Sequence, residues 1–561
     1  MINQSYPGIV ITEKDVSVYN PSSVPTSIGA IAGPFQWGPV KEIRTVTNEQ
    51  ELVSTFWKPN NATAEAFFSA SNFLAYSGNL RVVRALGATG LNATTGATGV
   101  LVENETDYTE NHSSGISGTT WVAKYPGALG NSLKVSICDM QKYPTWEYKS
   151  YFDSAPGTST YAAGIFAGAN DELHVIVVDE DGLISGAAGT VLETFPFVSK
   201  ASDAKTETGE SNYYKDVINR QSEWIWWGNH TAGATAPGTA WGSVVPGATG
   251  FATFGATGPI TQSLQFGVAG ETLSSGEEIA AYDLFKDEEI SINFIITGGA
   301  SATAVEDALD NIAEVRKDLV VCVSPPKAAV VDNKGQEVTD ITTYRNSLNS
   351  STYAIMDSGW KYQYDKYNDV YRWIPLNADI AGLCARTEAP WVSPAGLTRG
   401  FVKNVQSLAW SPSKTSQGDL YKIGVISVIN KSGQGVVLFG DKTMTSKPSA
   451  LDRINVRRLF LALQNSIKTA AEYTLFELNN TFTRSQFTAR TESFLREVKG
   501  RGGLYDFAVV CDETNNTAQV IDSNSFVGDI YLKPAKSVSW VRLNFWAVGN
   551  SVKFTEIIAV R

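Results

Sequence analysis

Chemistry at a protein site needs reactive side chains that converge, so the histidines come first. His112, His174 and His230 are far apart, and none belongs to a His-Glu-x-x-His or related metal-binding spacing. His174 lies in the apolar run "ELHVIVV" and reads as a histidine built into a strand. No Gly-x-Ser-x-Gly elbow presents a nucleophilic serine, and no Gly-x-x-x-x-Gly-Lys-Ser/Thr loop is there to cradle a phosphate. The acidic stretch "VVDEDG" (177–182) has a faint look of a calcium loop. Its glycine comes too early and Leu183 stands where a ligand belongs, so it reads as a hairpin turn. In "EWIWWGNH" (223–230), Trp224 and Trp226 alternate and would share one strand face. Exposed, they would stack on sugar rings; buried, they would pack against a neighbouring layer. The run "DLFKDEEISINF" (283–294) offers carboxylates for acid–base work, or a solvated turn before a strand. Cys138, Cys322, Cys384 and Cys511 form no Cys-x-x-Cys, and three of them sit in strand-like apolar runs, as buried reduced thiols do. Nowhere do nucleophile, base and orienting group assemble. The expectation is no enzyme, no cofactor and no metal.

The elements that would position any site are more informative. The chain has 561 residues, too many for one core, and size alone suggests roughly three or four domains. With 43% apolar residues, 48 glycines and sparse charge, it reads as a loop-rich protein with much β structure. A net charge of −12 argues against wrapping nucleic acid and fits a soluble, cytosolic protein with self-repelling subunits. The start "MINQSYPGIV" has no basic segment ahead of an apolar one, and no run of about 18 apolar residues is present, so neither secretion nor membrane insertion is expected.

Strands are expected at 27–33, 80–86, 318–324 and 352–358, and helices at 47–56, 62–78 and 303–317. Thr47 or Asn48 would cap the first helix. "GATG" recurs at 87–90, 96–99, 247–250 and 255–258, which suits exposed turns around an inserted β-rich region. "WKYQYDKYNDVYRWIP" (360–375) predicts an aromatic hairpin turning at Tyr367-Asn368-Asp369. The run 453–477 carries Val456, Leu459, Phe460, Leu463, Ile467, Ala470 and Ala471 on one stripe, leaving Arg457, Asn465, Lys468 and Glu472 mostly off it. A second helix over 485–499 buries Phe487, Thr491, Phe494, Leu495 and Val498 and stops at "GRGG". Strands at 505–511, 526–533 and 538–548 follow.

The resulting fold class is multidomain α/β (α+β). It has an extended arm at 1–22, a first core segment at 23–86 and an outward-facing β-rich insertion at 87–290. The main α/β core domain follows at 291–536, with a strand arm at 537–561. Both ends carry strand-like runs, "YPGIVIT" and "SVSWVRLNFWAV", whose backbone groups need a sheet to join.

Several long blocks resemble the tail sheath proteins of contractile-tailed bacteriophages, especially the T-even-type myoviruses. They include "FQWGPV" (35–40), "NFLAYSGNLRVVRAL" (72–86), "AKYPGALGNSLKVSI" (123–137), "STYAIMDSGWKYQYDKYNDVYRWIPLNADIAGLCARTEAPWVSPAG" (351–396), "LFGDKTMTSKPSALDRINVRRLF" (438–460) and "YDFAVVCDETNNTAQVID" (505–522). The resemblance implies a structural virion protein forming stacked hexameric rings, a helical homopolymer around the tail tube. Contraction of that sheath drives the tube through the host envelope and delivers the genome. It implies partners in the tube, baseplate and tail terminator proteins, with no direct nucleic acid and no membrane insertion. Assembly would take place in the host cytoplasm. It places subunit-to-subunit strand exchange at Pro7, Gly8, Ile9, Val10, Ile11, Thr12, Val541, Leu543 and Phe545, and a tube-facing surface at Arg490, Arg496, Lys499 and Arg501. Only residues 87–121 stand where larger relatives carry an extra outer domain, which puts a receptor or decoration role of that domain in doubt. Three rival readings stay open on the sequence: the sheath of a phage-derived contractile injection system, a virion surface glycan-binding protein, and a hydrolase using Asp and Glu as acid and base.

Overall fold

The computed structural model describes residues 26–165, 167–231, 241–244, 251, 254 and 258–538. The chain divides into two compact units. The larger comprises Ser23–Glu388 and Pro394–Asp452, and the smaller takes Ala389–Ser393 and the chain from Arg453 onward. The segment 291–536, expected as one domain, therefore contributes to both, because the part beyond 452 closes a core of its own.

In the larger unit the chain opens with β1 (Gly29–Pro34), β2 (Ile43–Val46), α1 (Glu49–Phe56), α2 (Ala64–Leu74) and β3 (Leu80–Ala85). Asn48 is the cap of α1: its side chain accepts from the Glu51 amide at 2.9 Å, while the Glu51 carboxylate reaches back to the Thr47 amide at 2.8 Å. α2 lies against β1, where a Cβ on Gly33 would sit 2.8 Å from that of Ala66, so only glycine lets the helix this close.

The insertion follows, with β4 (Trp121–Ala123), β5 (Leu133–Asp139), β6 (Glu172–Asp179), β7 (Thr190–Ser199), β8 (Ile225–Trp227) and β9 (Ile260–Ser263). They form a four-stranded sheet ordered β7-β6-β5-β9 and a β4-β8 pair. β5 and β6 alternate between two cores. Val135, Ile137, Val175 and Val177 meet Trp121, Tyr214 and Trp227 on one side; Cys138, Ile176 and Val178 meet Trp146, Tyr148 and Phe152 on the other. The link from β6 to β7 runs over 180–189 and is longer than the tight turn expected at "DEDG". Burial pushes the Asp179 carboxyl up, but Ser132 Oγ (2.6 Å), the Ser185 amide (2.6 Å) and hydroxyl (2.7 Å), and the Ile184 amide (3.0 Å) all donate to it and hold it below the usual range. These donors organise the loop.

The neck of the insertion is closed by its own backbone. Gly87 N donates to Gly270 O at 2.7 Å and Leu91 N to Val268 O at 3.1 Å, so the outgoing and returning chains run side by side. Arg84 ties the neck to the core. It is fully buried and donates to the carbonyls of Phe35 (2.9 Å), Gly38 (2.8 Å), Gln36 (3.3 Å) and Pro126 (2.7 Å). The helix Ser275–Tyr282 already packs on β1 and β3, so the core resumes near 275 and not at 291.

β10 (Phe294–Ile296), β11 (Val320–Val323), β12 (Ala354–Asp357), β13 (Trp360–Asp365), β14 (Val370–Pro375), α3 (Asn377–Arg386), β15 (Ser407–Leu408), β16 (Val425–Lys431) and β17 (Gly435–Phe439) complete the unit. The main sheet has eight strands in the order β17-β16-β12-β11-β10-β1-β3-β2. All neighbours are parallel except β2 on β3 and β17 on β16, which close the two ends antiparallel. Every residue of β11 is buried, as a strand covered on both faces requires. β13 and β14 form the expected hairpin, with Tyr362 opposite Trp373 and Tyr364 opposite Tyr371.

In the smaller unit, α4 (Ile454–Glu472) and α5 (Thr481–Gly500) cover one face of β18 (Leu504–Val510) and β19 (Asp529–Pro534). Leu459, Leu463, Leu495, Val498 and Leu504 form the core, with Trp391 against it. The expected stripe of α4 holds at Val456, Leu459 and Leu463, but Arg457 is buried where an exposed position was expected. The start of α4 is enclosed all round, from Ile454 to Leu459, and long arginine stems fill such space.

Two predictions come from buried charge in the larger unit. Lys361 and Asp379 are wholly buried and 2.8 Å apart, and Tyr76 donates to Asp379 at 3.0 Å. Asp379→Ala strands the ammonium and is expected to cost about 3–5 kcal/mol, read as a lower midpoint in urea; the pair Lys361→Met with Asp379→Leu should recover most of it. Burial also pushes the Asp357 carboxyl from 3.8 up to about 8. The folded chain then keeps a proton that the unfolded chain releases. Stability from this group is complete below pH 3.8 and is lost as pH rises towards 8, at up to roughly 1.4 kcal/mol per pH unit. Asp357→Asn should flatten the dependence of Tm on pH across that window; an unchanged slope counts against the assignment.

Candidate functional site

The residues that could have done chemistry are placed as structure. His174 is buried in β6, its Nε2 2.9 Å from Ser154 O and its Nδ1 accepting from the Phe197 amide at 3.0 Å, with Phe152 stacked on the ring at 4.2 Å. Burial holds it below the usual histidine range. His230 stacks on Trp241 and is pushed down to about 4 by burial. All four cysteines are buried and none is in a disulfide. Among the described residues, no three His, Cys, Asp or Glu side chains are grouped to hold a metal ion. No described helix is long and apolar enough to cross a membrane.

The tryptophan motif divides. Trp226 is buried, stacked on Tyr108 at 4.3 Å, with Lys124 Nζ 3.2 Å from its ring centre and its own N–H donated to Lys124 O. Trp224 precedes β8 and packs on Trp37 and Trp57, against a different cluster. The shared face expected of the two rings is absent because the strand begins at Ile225.

The carboxyl ends of β1, β3 and β10 open on a cavity of about 140 Å³ lined by Glu65, Glu271 and Glu278. Ligands of doubly wound sheets sit at such switch points. Here the carboxylates are already engaged: Glu278 with the Ser301 amide, Glu271 with Asn60, and Glu65 with Lys327 at 3.7 Å.

The features that fit a binding role lie in the smaller unit. Among the described residues β18 and β19 pair only with each other, in register from Phe507↔Leu532 to Val510↔Asp529. Their outer edges have no ladder partner among the described residues, and a lone pair of strands is marginal in water. Pro7, Gly8, Ile9, Val10, Ile11 and Thr12, and likewise Val541, Leu543 and Phe545, lie outside the described residues. Of the four basic candidates, Arg496 pairs with Glu492 (3.3 Å), Lys499 with Asp506 (2.7 Å) and Arg501 with Glu497 (3.6 Å), Arg501 also lying over the Trp391 ring. Among these four only Arg490 has no acidic partner in the described residues. At about 100° per residue Arg490 and Lys499 fall on opposite sides of α5, so the four do not form one surface. The sequence reading missed the segment after α4. The helix stops at Glu472, not 477, and Leu475, Phe476 and Leu478 are left exposed. The signal was present in "YTLFEL", where Leu475 and Phe476 leave the stripe while Leu478 stays on it.

Comparison with known proteins now identifies this architecture. The sheath tail protein of Listeria innocua superposes with a TM-score of 0.53 at 10% identity, over 91% of this chain and 96% of that one; the fold is that of a tail sheath subunit. In sequence, the chain matches the phage tail sheath protein central domain over 275–444, the phage tail sheath C-terminal domain over 446–545, and the tail sheath protein Gp18 domain III N-terminal region over 26–85. The tail sheath protein of Salmonella phage ViI is 32% identical over 99% of this chain and 98% of its own, and that of Enterobacteria phage T4 is 33% identical over 98% of each. The chain belongs to the phage tail sheath protein family, the structural proteins of contractile tails.

The open sheet generates a prediction. In hydrogen exchange followed by mass spectrometry on the unassembled chain, amides on the outer edges of β18 and β19 should exchange faster than those of β11 and gain protection on assembly. Equal protection before and after would remove the edges from the interface.

Proposed function

We propose that the chain polymerises as stacked hexameric rings around a tail tube and that contraction of this sheath drives the tube through the host envelope. The observation that carries this reading is the two-stranded sheet of the smaller unit, whose edges have no ladder partner among the described residues. The β-branched run at 9–12 and the alternating run at 541–545 are suited to complete such edges on neighbouring subunits by strand addition. Each added backbone hydrogen bond contributes about 0.5–1.5 kcal/mol net. Ile9, Ile11, Val541, Leu543 and Phe545 add roughly 1.5–3 kcal/mol each when fully buried. A mesh of exchanged strands stays threaded while subunits rotate. Energy is stored when the extended lattice is built and released when it repacks, a cycle that needs no reaction centre. Baseplate and terminator proteins bound the polymer at its two ends, and assembly takes place in the host cytoplasm. On the tube side, Arg490 is the basic residue of α5 with charge to spare for an acidic partner.

The test is negative-stain electron microscopy of the full-length chain with and without purified tube protein, beside chains lacking 1–20 or 538–561. Hollow tubes from the full-length chain, lost in both truncations while circular dichroism is unchanged, are expected. Arg490→Glu should weaken only the tube-dependent assembly. Tubes that survive both truncations would refute strand exchange.

A further inference from the structure

The loop between α4 and α5, with the first turn of α5, is the most apolar exposed stretch among the described residues of the smaller unit. Tyr473, Leu475, Leu478 and Phe482 are each more than half exposed, and Phe476 is fully exposed. Phe476 also has φ +68°, a left-handed backbone that a bulky residue rarely adopts. The loop is nevertheless tied down. Asn480 caps α5 through the Thr483 amide at 2.9 Å, its own amide donates to Leu478 O at 2.8 Å, and Asn479 donates to Ser525 O at 2.8 Å. A fixed loop that holds a strained phenylalanine entirely in water is built to present it.

The larger unit has a surface of matching character. One face of the β13–β14 hairpin is turned inward through Lys361, Gln363 and Asp365. The other carries Tyr362, Tyr364, Tyr371 and Trp373 as a continuous aromatic slab, with Tyr362 4.6 Å from Trp373 and 5.3 Å from Tyr371, and Tyr364 5.3 Å from Tyr371. Tyr364 and Tyr371 are close to half exposed. Charge points the same way. Residues 453–538 carry 11 Lys and Arg against 9 Asp and Glu, net +2, whereas 26–388 with 394–452 carry 30 against 45, net −15. Each whole chain, at −12, repels another, so this difference selects which parts of two copies face each other and the apolar contact has to supply the attraction.

We propose that the 473–482 loop of one copy seats on the aromatic face of the β13–β14 hairpin of a second copy. The proposal rests on the polymer reading above and adds a side-chain contact to its strand exchange. Because loop and slab are different patches, the contact is heterologous, and repeating it generates a ring or a helix and not a closed pair.

The test uses the full-length chain with the photo-crosslinker p-benzoylphenylalanine in place of Phe476, at the highest soluble concentration. Irradiation should give a species of twice the chain mass whose cross-link maps within 360–375. The double substitution Phe476→Asp with Leu478→Asp, on side chains that the fold leaves in solvent, should keep the circular dichroism spectrum. It should lower the assembled fraction in sedimentation by at least about tenfold, the scale of losing an aromatic anchor. Tyr371→Asp should do the same, without further loss when combined. Cross-links to tube protein, to another part of the chain, or to nothing overturn the proposal. Tubes by electron microscopy without this cross-link leave strand exchange standing and remove the loop contact. The cross-link without tubes keeps the contact and removes the ring reading.

Discussion

β1 makes hydrogen bonds on both sides, to β3 and to β10, and these two ladders join parts of the chain separated by the whole insertion. Everything in the larger unit depends on that junction. The parallel strands from β3 to β16 are covered by helices, and antiparallel β2 and β17 close the ends. β2 and β17 remain the edge strands of this sheet. In the smaller unit the described residues form a sheet of two strands, with one face covered by helices. Its outer edges have no ladder partner among the described residues, and such edges are where a neighbouring strand can add.

Much of this was legible in the sequence because the signals were local. Asn48 with Glu51, the alternation around Tyr367–Asp369, and the Leu459–Leu463 and Leu495–Val498 repeats each act over a few residues. What was missed depends on long-range partners. Arg457 sits on a face that only the enclosed start of α4 explains. Nothing near Arg84 in sequence announces that its guanidinium will gather four carbonyls, one of them from Pro126. Trp224 and Trp226 alternate in sequence, yet the strand starts between them. The "DEDG" turn opened into a ten-residue loop because Asp179 finds donors on Ser132 and Ser185, far apart in the pattern.

The functional reading was less legible from physics than from likeness. Composition and periodicity reached a large multidomain α/β protein with strand-like ends, and no motif in it specified a sheath. Long ordered blocks supplied the family. The four basic residues implied by that likeness lie close together in sequence, on or just after one helix. Helical geometry then separates Arg490 from Lys499, and three of the four already have acidic neighbours. The exposed loop after α4 escaped notice because apolar residues following an amphipathic helix look like more helix until the backbone turns away.

The neck of the insertion has one more consequence. Its outgoing and returning chains are hydrogen-bonded to each other at Gly87 and Gly270, so the two ends of the insertion are held together where they leave the sheet. Closing a longer loop costs only about 0.6 kcal/mol for each doubling of its length. The exposed turns beyond the neck are therefore a port at which sequence can be lengthened with little effect on the sheet beneath, provided Pro126 keeps its bond to Arg84 and Trp224 its packing on Trp37 and Trp57. A polymer of such subunits would carry a grafted domain once per copy, at the spacing of its own lattice.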